Sequence, residues 1–140
     1  MPKIETMDVK FAVLADYANI TREGKLNVLG IFDVINTPVF PVMLPTFYVV
    51  ISYQAGPAEF GSDKKVEIVL CDEDGVTLFS AEQVVHVIRP DKAGTLFMTN
   101  QIAGIIGLPF KQPGQYQFDI LVNGSSMKTI SLRVNEVKPK

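Results

Sequence analysis

The chain has little with which to do chemistry. It contains one cysteine, one histidine and no tryptophan, and its formal net charge is -2 at pH 7. With Cys71 alone, an intrachain disulfide and a cysteine-based zinc site are excluded, which fits a reducing compartment. With His86 alone, a histidine-centred acid-base, nucleophilic or metal site lacks its usual second group, and a metal would need mostly carboxylates. No cofactor is expected. The longest basic run is the pair Lys64 and Lys65, so no field gathers phosphates and nucleic acid is not an expected partner. No apolar run approaches the roughly 20 residues of a membrane-crossing helix, and membrane insertion is not expected. Asp8, Lys10 and Asp16 interrupt the N-terminal segment, which does not read as a signal peptide. A cytoplasmic protein is the expectation.

What is present is enough apolar sequence to fold. The 140 residues are 47% hydrophobic and 20% charged, the balance of a globular chain. A chain of this length buries about two-thirds of its unfolded surface, so a single domain over residues 1–140 is expected. Its core should span 8–137, with 1–7 and 138–140 frayed.

The apolar residues fall in β-branched and aromatic runs of about eight to twelve residues, separated by Gly, Asn, Asp and Pro, which is an all-β pattern. The first run, 9–20, puts Val9, Phe11, Val13, Ala15 and Tyr17 on one face. A turn at Arg22 to Lys25 leads into 26–35, where Gly30 implies a bulge or a close neighbour. Pro38, Pro41 and Pro45 break the next stretch, whose apolar Val39 to Leu44 predict a lid over the core. Phe47, Val49, Ile51 and Tyr53 share a face in 46–55. Runs 64–72 and 76–88 flank Asp74-Gly75, a hairpin signal. Run 95–106 is ambiguous between a strand and a short helix because Asn100, Gln101, Ala103 and Gly104 interrupt it. Tyr116, Phe118, Ile120 and Val122 then alternate cleanly, and Asn123-Gly124 turns the chain into a last strand facing the core through Ile130, Leu132 and Val134. Without helices to cover a sheet, a second sheet must do so. The expected fold is an all-β, two-sheet antiparallel sandwich of about eight strands, with a closed barrel as the alternative.

Few residues suggest a site. His86 lies in a strand and reads as a structural or merely a surface residue. Asp72, Glu73 and Asp74 resemble a calcium loop, but Gly75 follows too soon for an EF-hand pattern, and a solvated turn is the better reading. Cys71 has no basic neighbour in sequence and reads as a buried, inert thiol. The four tyrosines, Tyr17, Tyr48, Tyr53 and Tyr116, are of a type that lines sugar sites and, more often, cores. Asn100 and Gln101 need hydrogen-bond partners inside an otherwise apolar stretch. That stretch and the proline-marked lid give one candidate interaction surface: Phe40, Met43, Leu44, Asn100, Gln101, Ile105 and Phe110.

Several segments together carry a family resemblance. They are Ala12, Leu14, Asp16, Ala18 and Asn19; Glu23-Gly24-Lys25-Leu26-Asn27; Leu29-Gly30-Ile31-Phe32-Asp33; Asn100-Gln101-Ile102; and Pro113 to Gly124. With these the chain resembles a prokaryotic family of small all-β proteins that has no assigned function. The resemblance implies a cytoplasmic bacterial protein with no catalytic residue to carry over. Function therefore rests on the residues themselves. The expectation is a non-catalytic interaction or assembly module, binding a protein partner or itself through strand edges or the apolar loops. The alternative is a small-ligand site, for a sugar or other small molecule, between the sheets. An enzyme would need Asp16, Asp33 or Asp119 to converge on His86.

Overall fold

The protein, described here by a computed structural model over residues 7–138, is built almost wholly of strands. Among the described residues these are β1 Asp8–Ile20, β2 Leu26–Phe32, β3 Val34–Thr37, β4 Val42–Met43, β5 Phe47–Ala55, β6 Asp63–Cys71, β7 Thr77–His86, β8 Phe97–Ile105, β9 Pro109–Phe110, β10 Gly114–Val122 and β11 Ser125–Glu136. A 3-10 turn at Pro57–Glu59 is the one helical segment described. No described helix is long and apolar enough to cross a membrane.

The strands form a four-stranded sheet ordered β2-β1-β5-β8, a five-stranded sheet ordered β3-β11-β10-β6-β7, and a small pair β4-β9. The all-β class agrees with expectation, but eleven strands in three sheets replace about eight in two. Nor is every pairing antiparallel, because β3 runs parallel to β11.

The extra strands have local causes. Run 26–35 is divided at Asp33. Phe32 closes the ladder with β1 opposite Leu14, and Val34 opens the ladder with β11 opposite Arg133. The Asp33 carbonyl accepts the Arg133 N–H at 2.9 Å, so one apolar run serves both large sheets. The proline-marked loops also pair, Val42 opposite Phe110 and Met43 opposite Pro109. Prolines on either side keep that ladder to two residues per strand, since each removes a donor.

Both large sheets feed one core. Leu14, Val49, Ile51 and Tyr53 meet Ile68, Leu70, Phe118, Ile120 and Leu132 there, and Phe32, Phe47 and Phe118 pack edge-to-face with centroids 5.6 and 6.3 Å apart. The alternating faces read for β5, β10 and β11 are the buried ones. For β1 the expected face is corrected. A register shift between Val9 and Phe11 turns Ala12 and Leu14 toward the core, and Phe11, Val13 and Ala15 join Val50 in a second cluster. Met7, expected to fray, is buried in the main core. Met1 to Thr6, Pro139 and Lys140 lie outside the described residues.

Gly30 has φ +72°, and a Cβ built on it would fall on the Asp16 carboxylate opposite. Both expectations for this glycine thus resolve into a close neighbour within an unshifted ladder. Gly30→Ala should lower stability by about 1–2 kcal/mol, the usual cost of the left-handed conformation for an L-residue. A urea melt checks this, and a change below a few tenths of a kcal/mol would contradict the backbone geometry.

Candidate functional site

Sheet edges are the natural contact elements of an all-β protein, and proteins blunt them with charge, kinks, bulges or short length. Three of the four outer strands of the large sheets are blunted. β3 has four residues and is followed by Pro38. β2 has its regular backbone broken by the left-handed Gly30, at φ +72°. β7 carries Glu82 and His86 and shifts register against β6 beyond Leu70.

β8 has none of these devices. Its nine residues, Phe-Met-Thr-Asn-Gln-Ile-Ala-Gly-Ile, include no charge and no proline. They pair with β5 without a register shift from Ala55↔Phe97 to Phe47↔Ile105. The residue types that made this segment ambiguous in sequence are those that leave its edge neutral. The strand reading holds, and the helix alternative does not.

Asn100 and Gln101 point to opposite faces of β8. On the outer face the Ser52 hydroxyl donates to Asn100 Oδ1 at 2.6 Å. On the inner face the Tyr53 hydroxyl donates to Gln101 Oε1 at 2.5 Å. Tyr53 is fully buried, and burial holds its phenol well above the usual tyrosine range. Beyond this pair, a cleft of about 330 Å³ opens between β7 and β8, lined by polar Gln83, His86 and Gln101 and by apolar Val84, Ile88 and Phe97.

The other candidate residues are dispersed. Ile105 and Phe110 are buried in the core, which removes them from any accessible surface. Phe40 and Leu44 pack on that core from the lid, and Met43 alone of the lid trio is exposed. Tyr17 and Tyr48 meet edge-to-face on the outer surface of the four-stranded sheet, far along the chain from Tyr116, whose hydroxyl donates to the Gln112 carbonyl. The tyrosines line no common site.

His86 Nδ1 lies 2.6 Å from Asp63 Oδ1 in an exposed cross-strand pair. None of Asp16, Asp33 or Asp119 lines its cleft. Asp16 faces Gly30, Asp33 sits at the crossover, and Asp119 accepts the Thr129 hydroxyl at 2.8 Å. The acidic turn is also engaged. Asp72 Oδ1 accepts the N–H groups of Asp74 and Val76, and Glu73 Oε1 accepts that of Gln115. Among the described residues no group of three or more His, Cys, Asp or Glu side chains is placed to hold a metal. Cys71 is half-buried rather than buried, with Sγ 3.9 Å from Thr77 Oγ1.

Among the described residues the fold and site define an all-β protein with one sheet edge that carries no charge, proline or register shift, beside a cleft of mixed polar and apolar lining. The chain belongs to DUF6941, a family of unknown function, whose model matches residues 10–135. No curated protein matches it. Among solved structures it is similar to the Pseudomonas fluorescens alkylpurine DNA glycosylase AlkC bound to DNA containing an abasic site analog, with 13% identity and a TM-score of 0.47. That likeness covers 95% of this chain and 31% of the glycosylase chain, so the present chain spans about a third of its neighbour.

Proposed function

We propose that the protein is a non-catalytic interaction module that docks another polypeptide by strand addition at β8. The observation that carries this reading is the unblunted edge. A nine-residue ladder with regular register and no charge would invite indiscriminate pairing unless it had a dedicated partner. Main-chain hydrogen bonds would supply affinity, and side chains on alternate faces would supply selectivity. The dispersed acids and lone His86 are consistent with a role that involves no chemistry. An intracellular, cytoplasmic setting in a bacterium belongs to the same proposal.

Met98→Lys tests the reading, because residue 98 is 58% exposed and a lysine there supplies the missing edge charge. The melting temperature should stay within about 2 °C of wild type, as for most exposed substitutions. Light scattering and affinity capture from the host should both show association by wild type and its loss in the variant. A strictly monomeric wild type that captures nothing more than the variant would sink the proposal.

The cleft between β7 and β8 favours a second reading, a small-molecule site for a sugar-like ligand whose apolar ring faces would meet Val84, Ile88 and Phe97. Its amides and the Tyr53–Gln101 pair offer oriented donors and acceptors. Thermal stabilisation by such a ligand that persists in Met98→Lys and disappears in Gln101→Leu would support the cleft over the edge.

A further inference from the structure

The outcome of strand addition depends on which strand is added, and β8 itself has the chemistry of its own partner. We infer that the occupant of the β8 edge is β8 of a second copy, paired antiparallel about a two-fold axis through Gln101. This rests on the strand-addition reading and names its partner.

Three features support a second copy. The strand carries no charge, so two copies approach without repulsion and the edge offers no counter-charge to a charged target. Exposed large apolar residues flank both ends, Leu96 (45%) and Met98 (58%) before the centre and Ile106 (78%) after it. An antiparallel two-fold brings opposite ends together, so with Gln101 facing its equivalent, Leu96 lies opposite Ile106 of the second copy.

The same register sets Met98 against Gly104 of the other copy, and Asn100 against Ile102. Gly104 presents no side chain, and the Tyr48 ring lies beside it, 3.4 Å from where a Cβ would stand. A long thioether thus meets the one position on the strand with space above it and an aromatic wall beside it. On the inner face Thr99 meets Ala103, and the two Gln101 side chains meet at the axis, able to exchange hydrogen bonds. Pairing the two copies consumes both free edges, which gives a closed dimer in place of a growing filament.

Charge reversal at the predicted contact reads the register directly. Leu96 and Ile106 are both exposed, so their substitution leaves folding intact. The double variant L96K/I106K places lysines opposite each other at two symmetric positions and should weaken the dimer about tenfold or more by sedimentation equilibrium. L96E/I106K has the same two sites altered but pairs glutamate with lysine, and dimerisation should return to within about threefold of wild type. In a mixture of differently tagged L96C and I106C chains, a disulfide should form between the two tags, because facing residues of an antiparallel pair are about 4.5–5.5 Å apart at Cα.

If L96K/I106K and L96E/I106K weaken the dimer equally, the Gln101-centred register is overturned. A monomeric wild type whose capture of a host protein is lost in Met98→Lys overturns self-pairing and leaves strand addition standing. A monomeric wild type with no such capture overturns both.

Discussion

Lys64→Met is expected to destabilise the protein by about 3–5 kcal/mol, far more than its lysine-to-apolar chemistry suggests from sequence. Lys64 lies on the core-facing row of β6 with Val66, Ile68 and Leu70, and only 7% of its surface is exposed. Glu59, in the 3-10 turn that precedes β6, is equally buried, and the two form an ion pair. Among the described residues no partner other than Lys64 reaches Glu59 Oε1. Removing the ammonium therefore leaves a buried carboxylate without compensation, and that desolvation dominates the loss. Glu59→Leu combined with Lys64→Met removes both charges and should recover most of the stability, because a buried pair and an apolar pair of similar volume are nearly equivalent. Urea melts of the three variants make a double-mutant cycle. A Lys64→Met loss under about 1 kcal/mol would show that the pair is solvated.

This pair marks where the sequence misleads. Lys64 has the even-numbered spacing of its apolar neighbours, but a lysine at a strand start next to Lys65 is normally read as solvated. Nothing local to the sequence indicates that the turn at Glu59 folds back to neutralise it. Where alternation is unbroken, as from Tyr116 to Val122, the buried face is legible because the two-residue period leaves one solution. One extra residue in β1 reverses that inference from Phe11 onward, and bulges have weak sequence signatures. The division of 26–35 at Asp33 was hidden for a different reason. Both halves have strand character, and the switch between sheets is decided by the distant Arg133.

The candidate site was legible in its chemistry and illegible in its topology. Asn100 and Gln101 stood out as polar groups in apolar sequence, and each does find a partner on β5. The edge position of β8 follows only from sheet order, in which the strand after a long hairpin excursion returns beside β5 and, among the described residues, has no strand paired on its other side. In sequence, Ile105 and Phe110 share one apolar stretch with Asn100 and Gln101 and carry no local sign of burial. They are core residues because β8 and β9 turn their odd and even positions, respectively, toward the interior.

Alkaline titration should expose the buried end of the Tyr53–Gln101 pair. Burial raises the Tyr53 phenol above its unfolded value of about 10, and burial with the nearby Asp72 raises Tyr116 in the same direction. The unfolded chain therefore gives up these protons at a lower pH than the folded one. Stability from each tyrosine is fully present below pH 10 and is lost as pH rises above it toward the folded value, at a limiting slope of about 1.4 kcal/mol per pH unit for each group. Tyr53→Phe removes one such contribution. At pH 7 the variant should be less stable by about 1 kcal/mol, since Gln101 Oε1 loses its donor. Above pH 10 the wild type loses stability faster, and the two curves should cross about one pH unit higher. Denaturant melts from pH 8 to 12, with phenolate absorbance followed in parallel, measure both terms. Parallel stability curves would mean that Tyr53 ionises as freely in the folded chain as in the unfolded one, and a sealed hydrogen bond behind the β8 edge would then be ruled out.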